Sequence, residues 1–158
     1  MMNYTEHTSP LGTLVLAASD DGLCGLYFDR HKYFEGPHGW TRSDAHPVLR
    51  QASEQIDDYF AGRRKAFDLP LDLRGTPFQQ SVWKALLELP FGATCTYREI
   101  AQRIASPRAI RAAGTAIGRN PVSIIVPCHR VLGVSGDLSG YAGGLERKRF
   151  LLELERRT

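Results

Sequence analysis

The chain has 158 residues, 42% of them hydrophobic and 23% charged, with a formal net charge of +3. This composition excludes a low-complexity chain, and no apolar run approaches the roughly 20 residues that a membrane-spanning helix needs. Three cysteines, at 24, 95 and 128, give neither a disulfide framework nor a paired-cysteine metal motif. A reducing, cytoplasmic setting is therefore expected, and the N-terminal Met-Met-Asn-Tyr-Thr-Glu-His lacks the form of a signal peptide.

Charge is unevenly spread. Residues 1–80 hold 8 Lys/Arg against 11 Asp/Glu, a net of −3, whereas residues 81–158 hold 12 against 6, a net of +6. A basic second half beside a slightly acidic first half suits contact with a polyanion through one half only. A merely solvated basic face fits charge alone equally well.

In chain order, Leu11–Ala18 and Leu23–Phe28 read as strands of a hairpin joined by Ser19-Asp-Asp-Gly22. Residues 29–46 read as a long loop. A helix is predicted from Pro47 to Ala61 with Val48, Ala52, Ile56 and Tyr59/Phe60 on its apolar face. Ala66–Leu73 alternates like an edge strand, with Pro70 arguing against a central place. Composition shifts near Arg74-Gly75, which divides the chain into a small β-rich unit, 1–74, and a mostly helical unit, 75–158, an α+β organisation. Cys24 with His31, His38 and His46 matches no tetrahedral metal spacing, so no metal is expected.

The second unit opens with Thr76-Pro77, an N-cap followed by proline, ahead of a helix to Leu89 with Phe78, Val82, Ala85/Leu86 and Leu89 facing the core. Thr96 and Glu99 form a capping box for a second helix to about Ile104. Ser106-Pro107 repeats the cap-then-proline signal and predicts a third helix over residues 108–119. The last two make a helix-turn-helix outline. The third is rich in Ala and Gly, which serves close packing of helices or close approach to another surface. Arg108, Arg111 and Arg119 favour nucleic acid as that surface.

Val122–Val126 reads as a short buried strand closed by Pro127, after which Cys128 and His129 stand side by side. On an extended strand they would point to opposite faces, but an irregular end could join them directly or through a water. The pair leaves two readings open: a buried structural cysteine beside a surface histidine, or a thiol whose proton the imidazole can take.

The Pro127-Cys128-His129-Arg130-Val131 run, preceded by Asn120-Pro121, resembles the active-site signature of the O6-alkylguanine-DNA alkyltransferases, also called methylated-DNA–protein-cysteine methyltransferases. Thr96–Ala101, Arg108–Gly114, Tyr141–Leu145 and Leu151–Glu155 follow in that family's order. The resemblance is strong over about 70–157 and loose before it. It implies a ribonuclease H-like N-terminal domain and a winged-helix-like C-terminal one. It further implies direct, irreversible transfer of an alkyl group from O6 of guanine in double-stranded DNA to Cys128, and leaves open whether O4 of thymine is also a substrate.

In those terms His129 is the base, through a water, and Glu155 orients it. Asn120 ties the turn to the site, and Tyr97 serves the departing purine. The carbonyls of Cys128 and Val131 would recognise its amine. The resemblance assigns Arg111 to the space left by an extruded base, with Ala112, Ala113 and Gly114 giving the DNA backbone room and Arg119 nearby. Tyr141 would line the pocket and Gly143-Gly144 close it, while Ala142 stands where some relatives have a serine. Glu153, two residues before Glu155, should face elsewhere. No cofactor is implied, and the protein is expected to act as a monomer, with clustering on DNA left open. The rivals are a lesion sensor, which would lack the acceptor cysteine, and a cysteine hydrolase, which would leave Arg111 and the basic half unexplained.

Overall fold

The computed structural model describes residues 2–138 and 140–158. Its first layer is a four-stranded sheet of β1 (Asn3–Ser9), β2 (Gly12–Ala18), β3 (Leu23–Phe28) and β4 (Thr41–Arg42), in the order β3-β2-β1-β4. The predicted hairpin is β2–β3. A second hairpin precedes it, pairing Asn3 with Ala18 through to Ser9 with Gly12. Only Thr5 of β1 is buried, so this strand carries no apolar alternation for the sequence to display. β4 is a two-residue parallel addition inside the stretch read as loop.

Leu14 and Leu16 of β2 and Leu23, Leu26 and Phe28 of β3 are fully buried, under α1 (Pro47–Phe60) and the second half of the chain. The helix starts where Pro47 fixes the first turn and His46 accepts from the Val48 N–H. Its buried residues are Leu49, Ala52, Gln55, Ile56 and Tyr59. Leu49 joins this inner face fully buried, while the expected Val48 packs half-buried against the core. Ala66–Leu73 is not a strand. A single parallel bridge joins Leu71 to Leu23, with Leu23 N–H donating to Pro70 and Asp72 N–H to Leu23. Pro70 has no N–H to extend a ladder.

Among the described residues four further α-helices follow: α2 (Pro77–Leu87), α3 (Tyr97–Arg103), α4 (Ile110–Gly118) and α5 (Leu145–Arg157). Both capping boxes form, Thr76 with Gln79 and Thr96 with Glu99. Trp83 joins the buried face of α2, and its Nε1–H donates 2.9 Å to the Ala116 carbonyl, locking α2 to α4. The predicted cap at Ser106 does not form. Ala105, at φ +57°, ends α3, Ser106 N–H donates back to Ala101, and Ala109 N–H donates to Ser106. That turn consumes Arg108, so α4 begins two residues later, at Ile110, with no side-chain cap.

Val122–Val126 is buried as expected but is coiled rather than extended. Val126 N–H donates to Val122, Ile124 has φ +71°, and only Val122 makes a strand-like bridge, to Leu26. The Asn120 side chain draws the loop closed, donating to the Val126 carbonyl and accepting from Val122 N–H. β5 (Cys95–Thr96) and β6 (Val131–Leu132) pair in parallel. Among the described residues no β-hairpin follows α4, so the winged-helix likeness rests on α3 and α4. Buried side chains from both halves form one continuous core.

Candidate active site

Pro127 ends the loop, and Cys128–Arg130 form a single 3-10 turn whose three side chains are all buried. This turn, rather than a strand end, is what brings the thiol and imidazole into one site. The second N–H of Asn120 Nδ2 reaches the Cys128 Sγ at 3.1 Å, while the first holds Val126 O at 2.8 Å. Burial pushes the Cys128 thiol above its ordinary value; Asn120 and the Lys148 ammonium pull against it without prevailing. The resting group is a thiol held in a position where a thiolate would find a donor.

His129 lies on the same turn with Nε2 2.6 Å from Glu155 Oε2. An ionised carboxylate only accepts, so Nε2 carries the proton and Nδ1 presents a lone pair. That Nδ1 is buried with no hydrogen-bond partner among the described residues. Burial pulls His129 below its ordinary value, against the opposing influence of Glu155, so the imidazole is neutral at pH 7. Burial alone would raise Glu155. Donors from His129, Arg130 and Tyr59 outweigh it and hold the carboxyl well below the usual carboxylate range.

Those donors are numerous. Arg130 reaches Glu155 through Nε at 2.8 Å and Nη2 at 2.9 Å, while its Nη1 holds the Leu89 carbonyl at 2.7 Å. Tyr59 Oη donates at 2.7 Å and the Gly92 N–H at 3.2 Å. Glu155 is 4% exposed, whereas Glu153 is exposed and paired with Arg156. Sequence reasoning assigned no role to Arg130 or Tyr59. Arg130 could have been suspected from a lone arginine inside the Cys-His run. Tyr59 had only the signature of a core tyrosine.

Cys128 lines a pocket of about 410 Å³. Tyr97, Tyr141, Ala142 and Leu145 line it with Gly114, Thr115, Ile117 and Gly118 of α4, and Lys32 and Tyr33 approach from the N-terminal loop. A wider cleft of about 630 Å³ beside Arg147 and Phe150 holds no nucleophile. Tyr141 Oη is buried without a hydrogen-bond partner among the described residues. The Ala142 carbonyl accepts from Lys32 N–H at 2.9 Å. A Cβ on Gly143 would stand 2.5 Å from Phe28, so contact with the sheet already demands glycine there. Val131 is wholly buried, its backbone in β6 and its N–H donating to Cys128 O.

Arg111 and Ala112 are exposed on α4, beside Arg108 and Thr115 on the rim of an open cleft. Ala113 is wholly buried, so its small size serves helix packing rather than an outer surface. Gly114 faces Tyr97, with an added Cβ 3.6 Å from the ring. Arg119 caps the end of α4, its guanidinium 3.8 Å over the Tyr33 ring. Cys24 contacts Met2, His31 accepts from Phe28 N–H, and His38 and His46 bond locally. Among the described residues no three His, Cys, Asp or Glu side chains converge for a metal ion.

A buried cysteine on the same turn as a His–carboxylate pair, at a pocket bordered by a small-residue helix, is an arrangement that suits nucleophilic cysteine chemistry. Residues 77–157 match the family described as 6-O-methylguanine DNA methyltransferase, DNA binding domain, and residues 2–73 its ribonuclease-like domain. A methylated-DNA–protein-cysteine methyltransferase of Methanosarcina acetivorans is 49% identical over 98% of both chains. One from Mycobacterium bovis is 49% identical over 99% of this chain and 93% of that protein. The crystal structure of Mycobacterium tuberculosis OGT in complex with DNA is 48% identical, covers 98% of this chain and 93% of that one, and superposes with a TM-score of 0.91. The chain belongs to the 6-O-methylguanine DNA methyltransferase family.

Proposed function

We propose that the chain repairs double-stranded DNA by moving an alkyl group from O6 of guanine to Cys128, once per molecule and irreversibly. The observation that carries this reading is the Cys128 thiol on a pocket of about 410 Å³, with Asn120 on the sulfur and an acceptor nitrogen, His129 Nδ1, buried on the same turn. Support for DNA as the partner comes from relatives named for methylated DNA, from the family's DNA-binding unit over 77–157 and from the basic second half.

The thiol proton passes through a water to Nδ1, and Glu155 stabilises the imidazolium that results. The thiolate attacks the O6-bound carbon in line. An S–C bond forms, the C–O bond breaks, and the electron pair leaves on the guanine, with Tyr97 donating to it. The thioether has no group beside it that could cleave it, so the protein is consumed. No cofactor enters this scheme. A stacked base cannot reach a buried thiol, so the nucleotide is extruded and Arg111 fills the gap. Ala112 and Gly114 admit the DNA backbone, with Arg119 beside it; the Cys128 and Val131 carbonyls take the purine amine, and Tyr141, Ala142 and Gly143 enclose the base. The protein acts as a monomer and clusters along DNA.

The test is intact-protein mass after mixing with excess duplex bearing one O6-methylguanine, beside Cys128→Ala. A gain of one methylene in nearly all the wild-type protein and none in the variant is expected. No gain with lesion-selective binding would make the protein a sensor, and no gain without selectivity would overturn the reading.

A further inference from the structure

The residues proposed for chemistry all lie in the second half of the chain, in the unit matched over 77–157. Glu155, however, is not satisfied by that unit alone. Tyr59, on α1 of the first half and 96 positions away, puts its hydroxyl 2.7 Å from Glu155 Oε2. This is the same oxygen that takes the His129 Nε2 proton at 2.6 Å. Both side chains are buried, Tyr59 at 1% exposure, so the bond is shielded from water. The ring is fixed independently by edge contacts to Phe60 and Phe91 and a tilted contact to Phe67.

We propose that Tyr59 is a positioning residue through which the N-terminal domain sets the strength of the His129 base. Tyr59, His129 and Arg130 Nη2 all donate to that one carboxylate oxygen and compete for its electron density. Each hydrogen bond from Tyr59 lowers the pull that Glu155 exerts on the imidazole N–H, and so the basicity of Nδ1. Burial, then Glu155, raise the Tyr59 phenol far above its ordinary value, so Tyr59 is a donor at every working pH and never competes for the thiol proton. The carboxylate would otherwise hold the proton-accepting imidazole more tightly and make it more basic. The charged and titratable groups around His129 are Glu155 and Lys148 from α5, Arg130 and Cys128 on its own turn, and Tyr59 behind the carboxylate. Of these, Tyr59 alone comes from the first half.

The inference deepens the alkyl-transfer reading and rests on it for its purpose, but it can be tested apart from it. In the full chain, Tyr59→Phe keeps the ring and its aromatic contacts while removing the donor. The first readout is the titration of the His129 ring by nitrogen-15 NMR. The second is the rate at which iodoacetamide alkylates Cys128 against pH, which needs no DNA. The His129 midpoint and the acidic limb of the rate profile should both move up by about half to one pH unit. Circular dichroism should show an unchanged fold. Superimposable titrations, or a rate lowered by one factor at every pH with the midpoint unmoved, would overturn the proposal. Failure of transfer from O6-methylguanine DNA with the midpoint still shifted would instead sink the alkyl-transfer reading and leave the Tyr59 coupling standing.

Discussion

Asn120 and Cys128 are joined by a hydrogen bond of 3.1 Å from Nδ2 to Sγ, and the same side chain clamps the loop between them through Val122 and Val126. One amide therefore shapes the backbone and serves the nucleophile. Asn120→Ala should slow Cys128 alkylation at pH 7.5 by about tenfold, because the forming thiolate loses a donor. It should also cost about 1–3 kcal/mol, since the buried Val126 carbonyl is left unpaired. Thiol-reaction kinetics and urea unfolding check the two effects separately, and intact kinetics would remove Asn120 from the site.

Glu155 carries the highest structural stake. Glu155→Ala leaves Arg130 buried without its partner and should destabilise the fold by about 3–5 kcal/mol. Glu153→Gln, on the exposed face of the same helix, should stay within about 0.5 kcal/mol. The pH dependence has a definite sign. Because the folded carboxyl is held below its unfolded value of 4.5, its contribution is complete above about pH 4.5 and is lost as pH falls below it. Denaturant melts at pH 7, 4.5 and 3 should show the loss between the last two, and Glu155→Gln should flatten it.

His31 acts in a higher window. Burial, with Arg147 nearby, pushes it down to about 4, and its Nδ1 accepts from the Phe28 N–H, which only the unprotonated nitrogen can do. An unfolded histidine binds its proton near 6.5. Stability should therefore be full above about pH 6.5 and fall as pH drops from there toward 4. His31→Gln should remove that slope in urea melts, and an unaltered slope would place the proton elsewhere.

Arg111 is exposed on α4 and does not line the pocket that holds Cys128. Arg111→Ala should lower transfer from duplex O6-methylguanine by about tenfold or more while leaving iodoacetamide alkylation of Cys128 unchanged. Equal losses with both reagents would mean that the substitution disturbs the site itself.

Gly143→Ala should cost about 1–3 kcal/mol, because its methyl would press against Phe28 of β3 at 2.5 Å. Thermal unfolding measures this without reference to DNA.

Legibility in the sequence followed the range of the interaction. Thr76 with Gln79 and Thr96 with Glu99 are three residues apart, so both helix starts could be read directly. β1 could not, because Asn3–Ser9 is polar and its pairing with β2 supplies what periodicity does not. The apolar run 122–126 correctly announced burial, but its coiled path depends on Asn120 reaching both ends of it. At the site, the Cys128–His129 pair was visible, and Glu155 came only through resemblance. Tyr59 and Arg130 were missed because their bonds to Glu155 span 96 and 25 positions. No local pattern encodes such pairings.

The same long span bears on how the molecule acquires reactivity. Closing a loop between residues 59 and 155 is entropically dear and slow compared with forming the local helices on either side. Asn120 and Cys128 are joined across eight positions and His129 and Glu155 across 26, but the Tyr59 donor reaches Glu155 only when α5 meets α1. During folding the His129 base thus forms within the second half before its strength is set by the first.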